Sequence, residues 1–351
     1  MGKFTYHISL NFDNKEHNEV EFYKKDIYYS DQHFDKLKIT NKGIYLECNR
    51  AKDRDLSKIL TDFRSTFNNQ ITKSLIFFIS TNSFRPLISS IRIEKDELEI
   101  KKDEYTYPSE KLLQPFNRNL SRELLINKDK LDALFNSDVK SQTLMMSLSL
   151  WLKGATSELA GDGFDCFWTS FNSLYTFITQ KDKEFDKLKE IKKFILLNRD
   201  LFVNSSSFFD GFGDKDIRKL RWREMILNDY DNEKKTKAFR DFLFRYEDYR
   251  INKVFLEILP YRKAFLSNAG YLGEVETHIN TAIRNKKKDN YEVLCLYMIK
   301  YGYFIRNKYF HGEKLDPTIH LIKTDEISEL KLINNLFAIF LKELIMANNK
   351  Y

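Results

Sequence analysis

The sequence predicts an α+β N-terminal domain followed by an all-α helical bundle. Apolar residues alternate with a period of two in much of the first hundred residues, and after about residue 140 they recur at helical spacing. The 351 residues include only 11 Gly and 5 Pro, and 42% of the side chains are hydrophobic, as is typical of a chain that folds into about two globular domains. We assign 1–107 to a small α+β domain of unknown role, 108–139 to a connector and 140–351 to the helical domain.

The first strand is predicted by strict alternation of apolar residues from Phe4 to Phe12. A second alternating stretch, 37–46, is interrupted at 41–43 and predicts a hairpin, in which Gly43 is expected to adopt a positive φ. A further hairpin is predicted over 91–100, with its turn at 95–97.

Two other predictions concern the segment between these hairpins. Apolar residues from Leu56 to Phe67 recur at helical spacing and predict a helix, which Asp53 or Asp55 would cap. The continuous apolar run in 73–80 predicts a fully buried strand.

The change to helical structure is expected after Pro108 and Pro115, which do not fit a continuous strand ladder. Apolar residues at i, i+3, i+4 and i+7 then predict helices at 141–153, 164–180, 185–198, 237–252, 273–285, 291–310 and 326–347.

The charge distribution is uneven. The chain carries 58 basic and 51 acidic residues, a net charge of +7, and residues 1–107 hold 18 of the basic and 17 of the acidic ones. The surplus in the helical part is compatible with an anionic partner without identifying one. The three cysteines lack CxxC spacing, and we find neither a signal peptide nor a long apolar segment, so we expect a cytoplasmic protein with no membrane association.

Common cofactor and metal motifs are missing. The glycine pairs at 161–163 and 211–213 complete neither GxGxxG nor a P-loop, and we interpret both as turns. The acidic pairs at 53–55 and 229–231 have no companion at ligand spacing. We therefore predict no cofactor and no metal site.

One sequence motif near the end of the predicted helix 291–310 does indicate a catalytic site: Arg306-Asn307-Lys308-Tyr309-Phe310-His311-Gly312. It resembles the Arg-polar-x(3)-His motif of the HEPN superfamily, in particular the Apea-like HEPN branch, whose motif is written RNxxxHG. The aromatic-rich stretch 164–175 is similar to the helix that precedes the motif in that branch. Asn172 stands where many relatives carry an acidic residue.

The resemblance implies an HEPN-like bundle and a metal-independent endoribonuclease that acts as a toxin or antiviral-defence effector. Arg306, Asn307 and His311 are the catalytic residues that it implies. His exchanges protons near neutral pH, and the charged guanidinium of Arg matches two phosphate oxygens, so these residue types suit attack of a ribose 2′-OH on the adjacent phosphate.

The spacing of the motif adds a constraint. Arg306 and His311 would be about 140° apart on an ideal helix, and Gly312 is a natural C′ residue whose presence would let His311 turn towards Arg306. Each chain supplies only one motif His, which makes simultaneous acid and base work difficult, and HEPN relatives solve this by dimerising. The resemblance therefore implies RNA as substrate and a homodimer formed through the helical domain. It is also compatible with a sensor or antitoxin partner.

Several alternatives stay open. An Arg and a His near a helix end often only contact its last carbonyls, and a catalytically inactive HEPN module that binds RNA or protein would carry the same string. Lys308 is expected to be solvated, and the aromatic stripe from Tyr297 to Phe310 is expected to be bundle core. The basic cluster 218–223 is interpreted as a solvated helix face around a core Trp, or as a surface that stacks on bases. His320 is a weaker candidate for a second proton carrier.

Overall fold

The computed structural model describes residues 2–16, 18–30, 33–115, 118–310, 322 and 324–351. The chain divides into two compact units. The first contains Met1–Glu158, Thr169–Phe177 and Ile345–Tyr351, and the second contains Leu159–Trp168 and Ile178–Leu344. The predicted assignment of 1–107, 108–139 and 140–351 to separate domains stays a prediction.

The first unit contains an antiparallel sheet. Its described strands are β1 (Phe4–Phe12), β2 (Glu21–Ser30), β3 (His33–Thr40), β4 (Gly43–Arg50), β5 (Ile88–Glu97) and β6 (Ile100–Thr106), in the order β2-β3-β4-β1-β5-β6. In the centre, Ile8 of β1 pairs with Leu46 of β4 on one side and with Ile93 of β5 on the other. All three side chains are buried. The predicted first strand and the α+β class of the N-terminal part are confirmed.

Both predicted hairpins form, but their turns differ from expectation. Gly43 does not have a positive φ. A side chain at this position would collide with the carbonyl oxygen of Leu10 on β1, so the close approach of two strands is what requires glycine. In the second hairpin, β5 continues to Glu97, and the turn is formed by Leu98 and Glu99, both with positive φ.

The segment between the hairpins contradicts the sequence predictions. Residues 73–80 are not a strand; they belong to helix α1 (Thr66–Thr81), and the helix expected over 56–67 is reduced to a short 3-10 turn at Leu56–Lys58. Helix α1 begins at Thr66 because the side chain of the preceding Ser65 accepts a hydrogen bond from the backbone N–H of Asn68 at 3.1 Å. Its apolar face covers the sheet, where the ring of Phe78 lies 4.9 Å from that of Phe12.

Helices dominate the rest of the described chain: α2 (Val139–Thr156), α3 (Ala160–Thr179), α4 (Glu184–Leu197), α5 (Val203–Ser207), α6 (Asp214–Arg218), α7 (Trp222–Asp229), α8 (Thr236–Leu243), α9 (Tyr249–Ile258), α10 (Lys263–Asn268), α11 (Leu272–Asn285), α12 (Asn290–Cys295), α13 (Gly302–Phe310) and α14 (Asp325–Met346). The predicted helical layout after the sheet is thus confirmed. The glycine pair at 161–163 is an exception, because it lies in the first turn of α3 and does not form a separate turn.

The prediction of a single helix over 237–252 is wrong, because the helical backbone is interrupted between α8 and α9. Asp248 caps α9 by accepting a hydrogen bond from the backbone N–H of Arg250 at 2.8 Å. Its carboxylate also pairs with the Arg250 guanidinium, Nη2 to Oδ2 at 2.7 Å, and both side chains are fully buried. The guanidinium donates further hydrogen bonds to the carbonyl oxygens of Phe209 and Phe212, so the break is fixed by a buried polar cluster of the second unit.

None of the helices in the described part of the chain is long and apolar enough to cross a membrane.

Candidate functional site

The motif helix α13 is the last part of a continuous helical run that starts at α12. Asp289 caps this run, because its side chain accepts hydrogen bonds from the backbone N–H groups of Tyr291 and Glu292. Between α12 and α13 the backbone widens into a π-helix, Leu296–Tyr301. Single π-helical turns inside α-helices are rare and occur often at functional sites. The run is anchored in the core, where Tyr297 and Tyr301 are fully buried.

Arg306 and Asn307 both lie in the last part of α13, and both are half-buried. The Nη1 atom of Arg306 donates a hydrogen bond to the Oδ1 atom of Asn307 at 3.0 Å. The amide oxygen therefore fixes one end of the guanidinium, a planar group that presents several N–H donors in a fixed geometry.

His311 and Gly312 lie outside the described residues, as does His320. The structure thus brings together two of the three predicted catalytic residues, Arg306 and Asn307, and leaves the position of His311 relative to them a prediction.

An aromatic layer packs α13 against the first half of α3. The Tyr303 ring is 6.1 Å from that of Trp168, and the Tyr309 ring is 6.4 Å from that of Phe164. Gly302 permits this approach, since a Cβ atom there would lie 3.2 Å from the Trp168 ring. The aromatic residues of 164–168 therefore support the motif helix.

The aromatic stripe of this helical run is core, as predicted, at its described positions Tyr297, Tyr301 and Phe304, none of which is exposed to solvent.

Lys308 is not solvated, contrary to the prediction, because only 8% of it is exposed. Its ammonium lies 3.2 Å from the Oδ1 atom of Asn228, to which it donates a hydrogen bond, and 3.8 Å from a carboxylate oxygen of Glu224. Both partners are on α7. Lys308 therefore fixes α13 against α7 from the side of the helix opposite Arg306, since two residues correspond to about 200° of rotation.

A largely buried charge cluster lies one turn earlier in the run. Tyr301 donates a hydrogen bond to the Glu329 carboxylate, and the Nε atom of Arg221 donates to the same carboxylate at 3.1 Å. Burial raises the pKa of Glu329, although the Arg221 guanidinium opposes this, and burial also raises the pKa of Tyr301.

No pattern in the sequence indicates this cluster. Its members come from three separate elements and have no motif spacing, so only the folded chain brings them together. Perturbed pKa values of this kind mark functional sites, but they also occur in structural ion-pair networks.

The glycine pair at 211–213 precedes α6, where the backbone N–H of Gly213 donates to the Oδ2 atom of Asp216 at 3.0 Å. In the described part of the chain, no group of three or more His, Cys, Asp or Glu side chains is arranged so that it could hold a metal ion.

The basic cluster 218–223 borders a cleft of about 650 Å³ in the second unit. Trp222 is a core residue, with 4% of its surface exposed, and its indole N–H donates to the carbonyl oxygen of Ile217 at 2.7 Å. The indole is therefore not available for stacking on a base. The exposed ring of the cleft belongs to Tyr261, a residue that no sequence motif marks.

Comparisons with known protein families, with curated proteins and with solved structures each found no match to this chain.

Proposed function

We propose that this chain is a metal-independent endoribonuclease of HEPN type, in which Arg306, Asn307 and His311 form the reactive site. The observation that carries the proposal is the hydrogen bond between the Arg306 guanidinium and the Asn307 amide in the last part of α13. The geometry gives the polar residue next to Arg in an RNxxxHG motif a role, because this residue can orient the guanidinium.

The proposed reaction is transfer of a phosphodiester to the neighbouring ribose oxygen. A neutral imidazole takes the proton of the 2′-OH, the 2′-oxygen forms a bond to phosphorus, and the bond to the 5′-oxygen breaks. An imidazolium gives its proton to the departing 5′-oxygen. The products are a 2′,3′-cyclic phosphate and a free 5′-OH.

Arg306 would stabilise the negative charge that develops on the phosphorane oxygens, because guanidinium binds two such oxygens at once and stays charged at any physiological pH. Two imidazoles are needed in one step, which favours a cleft shared by two copies of the motif in a homodimer. Cleavage of cellular RNA would make the chain a toxin or an antiviral-defence effector.

The matching experiment uses single-stranded RNA with excess chelator. We expect the wild-type protein to cleave it. Arg306→Ala and His311→Ala should each lower the rate by about a hundredfold or more, because the first removes the charge that stabilises the phosphorane and the second removes the acid–base group. Arg284→Ala is the matched control, because this exposed arginine also lies in the last turn of a helix, α11.

Cleavage that requires a divalent metal, or that persists in His311→Ala, would contradict this mechanism. If the wild type binds RNA or a protein partner and leaves RNA intact, the chain is instead a catalytically inactive HEPN module. Expression of the wild type and of His311→Ala in cells then separates toxins, which arrest growth only when the motif is intact, from binding modules.

A further inference from the structure

The cleft beside the basic cluster is a candidate ligand site that the proposed reaction does not use. It is lined by residues of α7 and α9 and by Tyr261, which follows α9. Its volume of about 650 Å³ is within the range of small-molecule and cofactor sites, about 300–1,000 Å³. Val254 and Ile258 form part of an apolar floor, and both are almost completely buried.

The exposed arginines of the cleft differ in whether a carboxylate of the protein pairs with them. Arg218 pairs with Asp214 at 3.2 Å and with Glu257 at 2.5 Å, so its charge is neutralised within the second unit. Arg223 is exposed, and no carboxylate of the described chain lies within 4.0 Å of it. It is therefore the cation that is available to an anionic ligand.

Arg221 also lines the cleft, but its guanidinium is held within the protein. The Nε and Nη1 atoms of Arg221 are engaged by Glu329 and Glu224, but its Nη2 atom is buried and has no hydrogen-bond partner in the described part of the chain. Because solvent does not reach this Nη2 atom, a ligand in the cleft does not reach it either, and Arg221 adds no free donor to the site.

An aromatic surface lies next to the available cation. Tyr261 is 41% exposed, and the Arg223 guanidinium lies 5.9 Å from the centre of its ring. Leu227 of α7, also partly exposed, adds apolar surface at the same cleft. A planar aromatic ring would stack on such a surface, and a group with negative charge would contact Arg223.

We propose that this cleft binds one nucleotide, with its base against Tyr261 and its phosphate at Arg223. The nucleotide is either free or part of a single-stranded nucleic acid, because both present the same base and phosphate. Glu224 lines the cleft and lies 3.8 Å from Lys308 of the motif, so the cleft is next to the face of the motif helix that is opposite Arg306. The inference concerns binding and does not depend on cleavage.

The test is calorimetry of the binding of 5′-AMP, adenosine, inorganic phosphate and phosphotyrosine. Binding of hexa-adenylate is measured with the Arg306→Ala protein, so that the strand stays intact. We expect Tyr261→Ala to weaken 5′-AMP binding about fivefold or more, the effect of losing one base–aromatic stack. Arg223→Gln should weaken 5′-AMP binding about threefold to tenfold and leave adenosine binding unchanged, because only the phosphate contact is lost.

Two control variants match these changes outside the cleft. Tyr271→Ala removes a partly exposed ring that also lies under a guanidinium, that of Arg240 at 5.4 Å, and Arg284→Gln removes an exposed positive charge. Thermal unfolding of each variant identifies any that fail to fold. Arg223→Gln alters only an exposed side chain, so it keeps the test decisive if Tyr261→Ala does not fold.

Binding of 5′-AMP that depends on both Tyr261 and Arg223 supports a site for a free nucleotide, and such binding by hexa-adenylate alone supports a site for a strand. The inference is overturned if neither ligand binds saturably, if the control variants weaken binding equally, or if phosphate or phosphotyrosine binds as tightly as 5′-AMP. Nucleotide binding by a protein that does not cleave RNA would leave this inference standing while contradicting the proposed function.

Discussion

Lys73 is a buried cation in helix α1, with 3% of its surface exposed. Its ammonium donates a hydrogen bond to the carbonyl oxygen of Asn136 at 2.7 Å. Burial lowers the pKa of Lys73 from 10.5 to about 8, and the more distant Asp138 carboxylate only partly opposes this. Between pH 8 and 10.5 the unfolded chain therefore binds more protons at this site than the folded chain does.

The free energy of unfolding should accordingly rise with pH in this window and level off above it. We expect the wild type to gain about 2–3 kcal/mol relative to Lys73→Met between pH 7.5 and pH 10.5, since one pKa unit corresponds to about 1.4 kcal/mol. Urea unfolding at several pH values measures the difference. Lys111→Met, on an exposed lysine, should show a constant difference. A constant difference for Lys73→Met as well would contradict the prediction.

The residues of the candidate site were only partly predictable from the sequence. The Arg306–Asn307 pair is adjacent in the chain, so its motif was visible and its hydrogen bond is local. The burial of Lys308 was not predictable, because its partners Glu224 and Asn228 are about 80 residues away in sequence. Charged residues are usually exposed, and the contact with α7 opposes that expectation here.

At the scale of elements, the β5–β6 hairpin has an unusual turn. Leu98 and Glu99 have φ values of 50° and 70°, a pair of positive values that is typical of type I′ turns and that favours Asn-Gly. Each such residue with a Cβ atom costs about 1–2 kcal/mol. The Leu98 side chain is 73% exposed, so it contributes little packing in return.

We therefore expect the double variant Leu98→Asn, Glu99→Gly to raise the free energy of unfolding by about 1 kcal/mol, after allowing for the greater freedom of glycine in the unfolded chain. The midpoint of urea unfolding should rise with no change in its slope. Leu113→Asn also removes an exposed leucine and does so without a positive φ, so it should leave the midpoint unchanged. A double variant no more stable than the wild type would show that the turn is not strained.

With the exception of α1, the helices that were predicted from the sequence are longer than those that were missed. Helices α2, α3, α4, α11 and α14 have 14 or more residues, enough for an apolar face to repeat. Helix α5 has five residues and shows no period. Its start is fixed by Glu343, whose carboxylate accepts hydrogen bonds from the backbone N–H groups of Asn204 and Ser205, a contact that spacing does not encode.

The error at α1 has a different cause. The apolar run 73–80 is short enough to fit either a buried strand or a buried helix, and β-branched and aromatic residues favoured the strand. What decided the outcome is the N-cap at Ser65, from which α1 extends over the polar residues that precede the run.

At the scale of the whole molecule, the charge surplus is small and lies almost entirely beyond residue 107, where the motif is also found. Many of these charges are paired within the second unit, as for Arg240 with Glu274 and Arg218 with Glu257. The count of 58 basic residues therefore overstates the number of cations that can contact RNA. Recognition under the proposed function must depend on a few placed groups, Arg306 among them, rather than on a broad basic surface.

The proposed reaction makes a final prediction about assembly. Proton removal from the 2′-OH and protonation of the 5′-oxygen need two groups at one phosphate, and the motif supplies one histidine per chain. Activity per chain should therefore fall on dilution as dimers dissociate, and the active species should sediment at twice the chain mass of 42.0 kDa. Analytical ultracentrifugation and cleavage rates over the same concentration range measure both quantities. A constant specific activity at the mass of a single chain would mean that one motif suffices, and a second proton carrier, such as His320, would then have to be sought within the same chain.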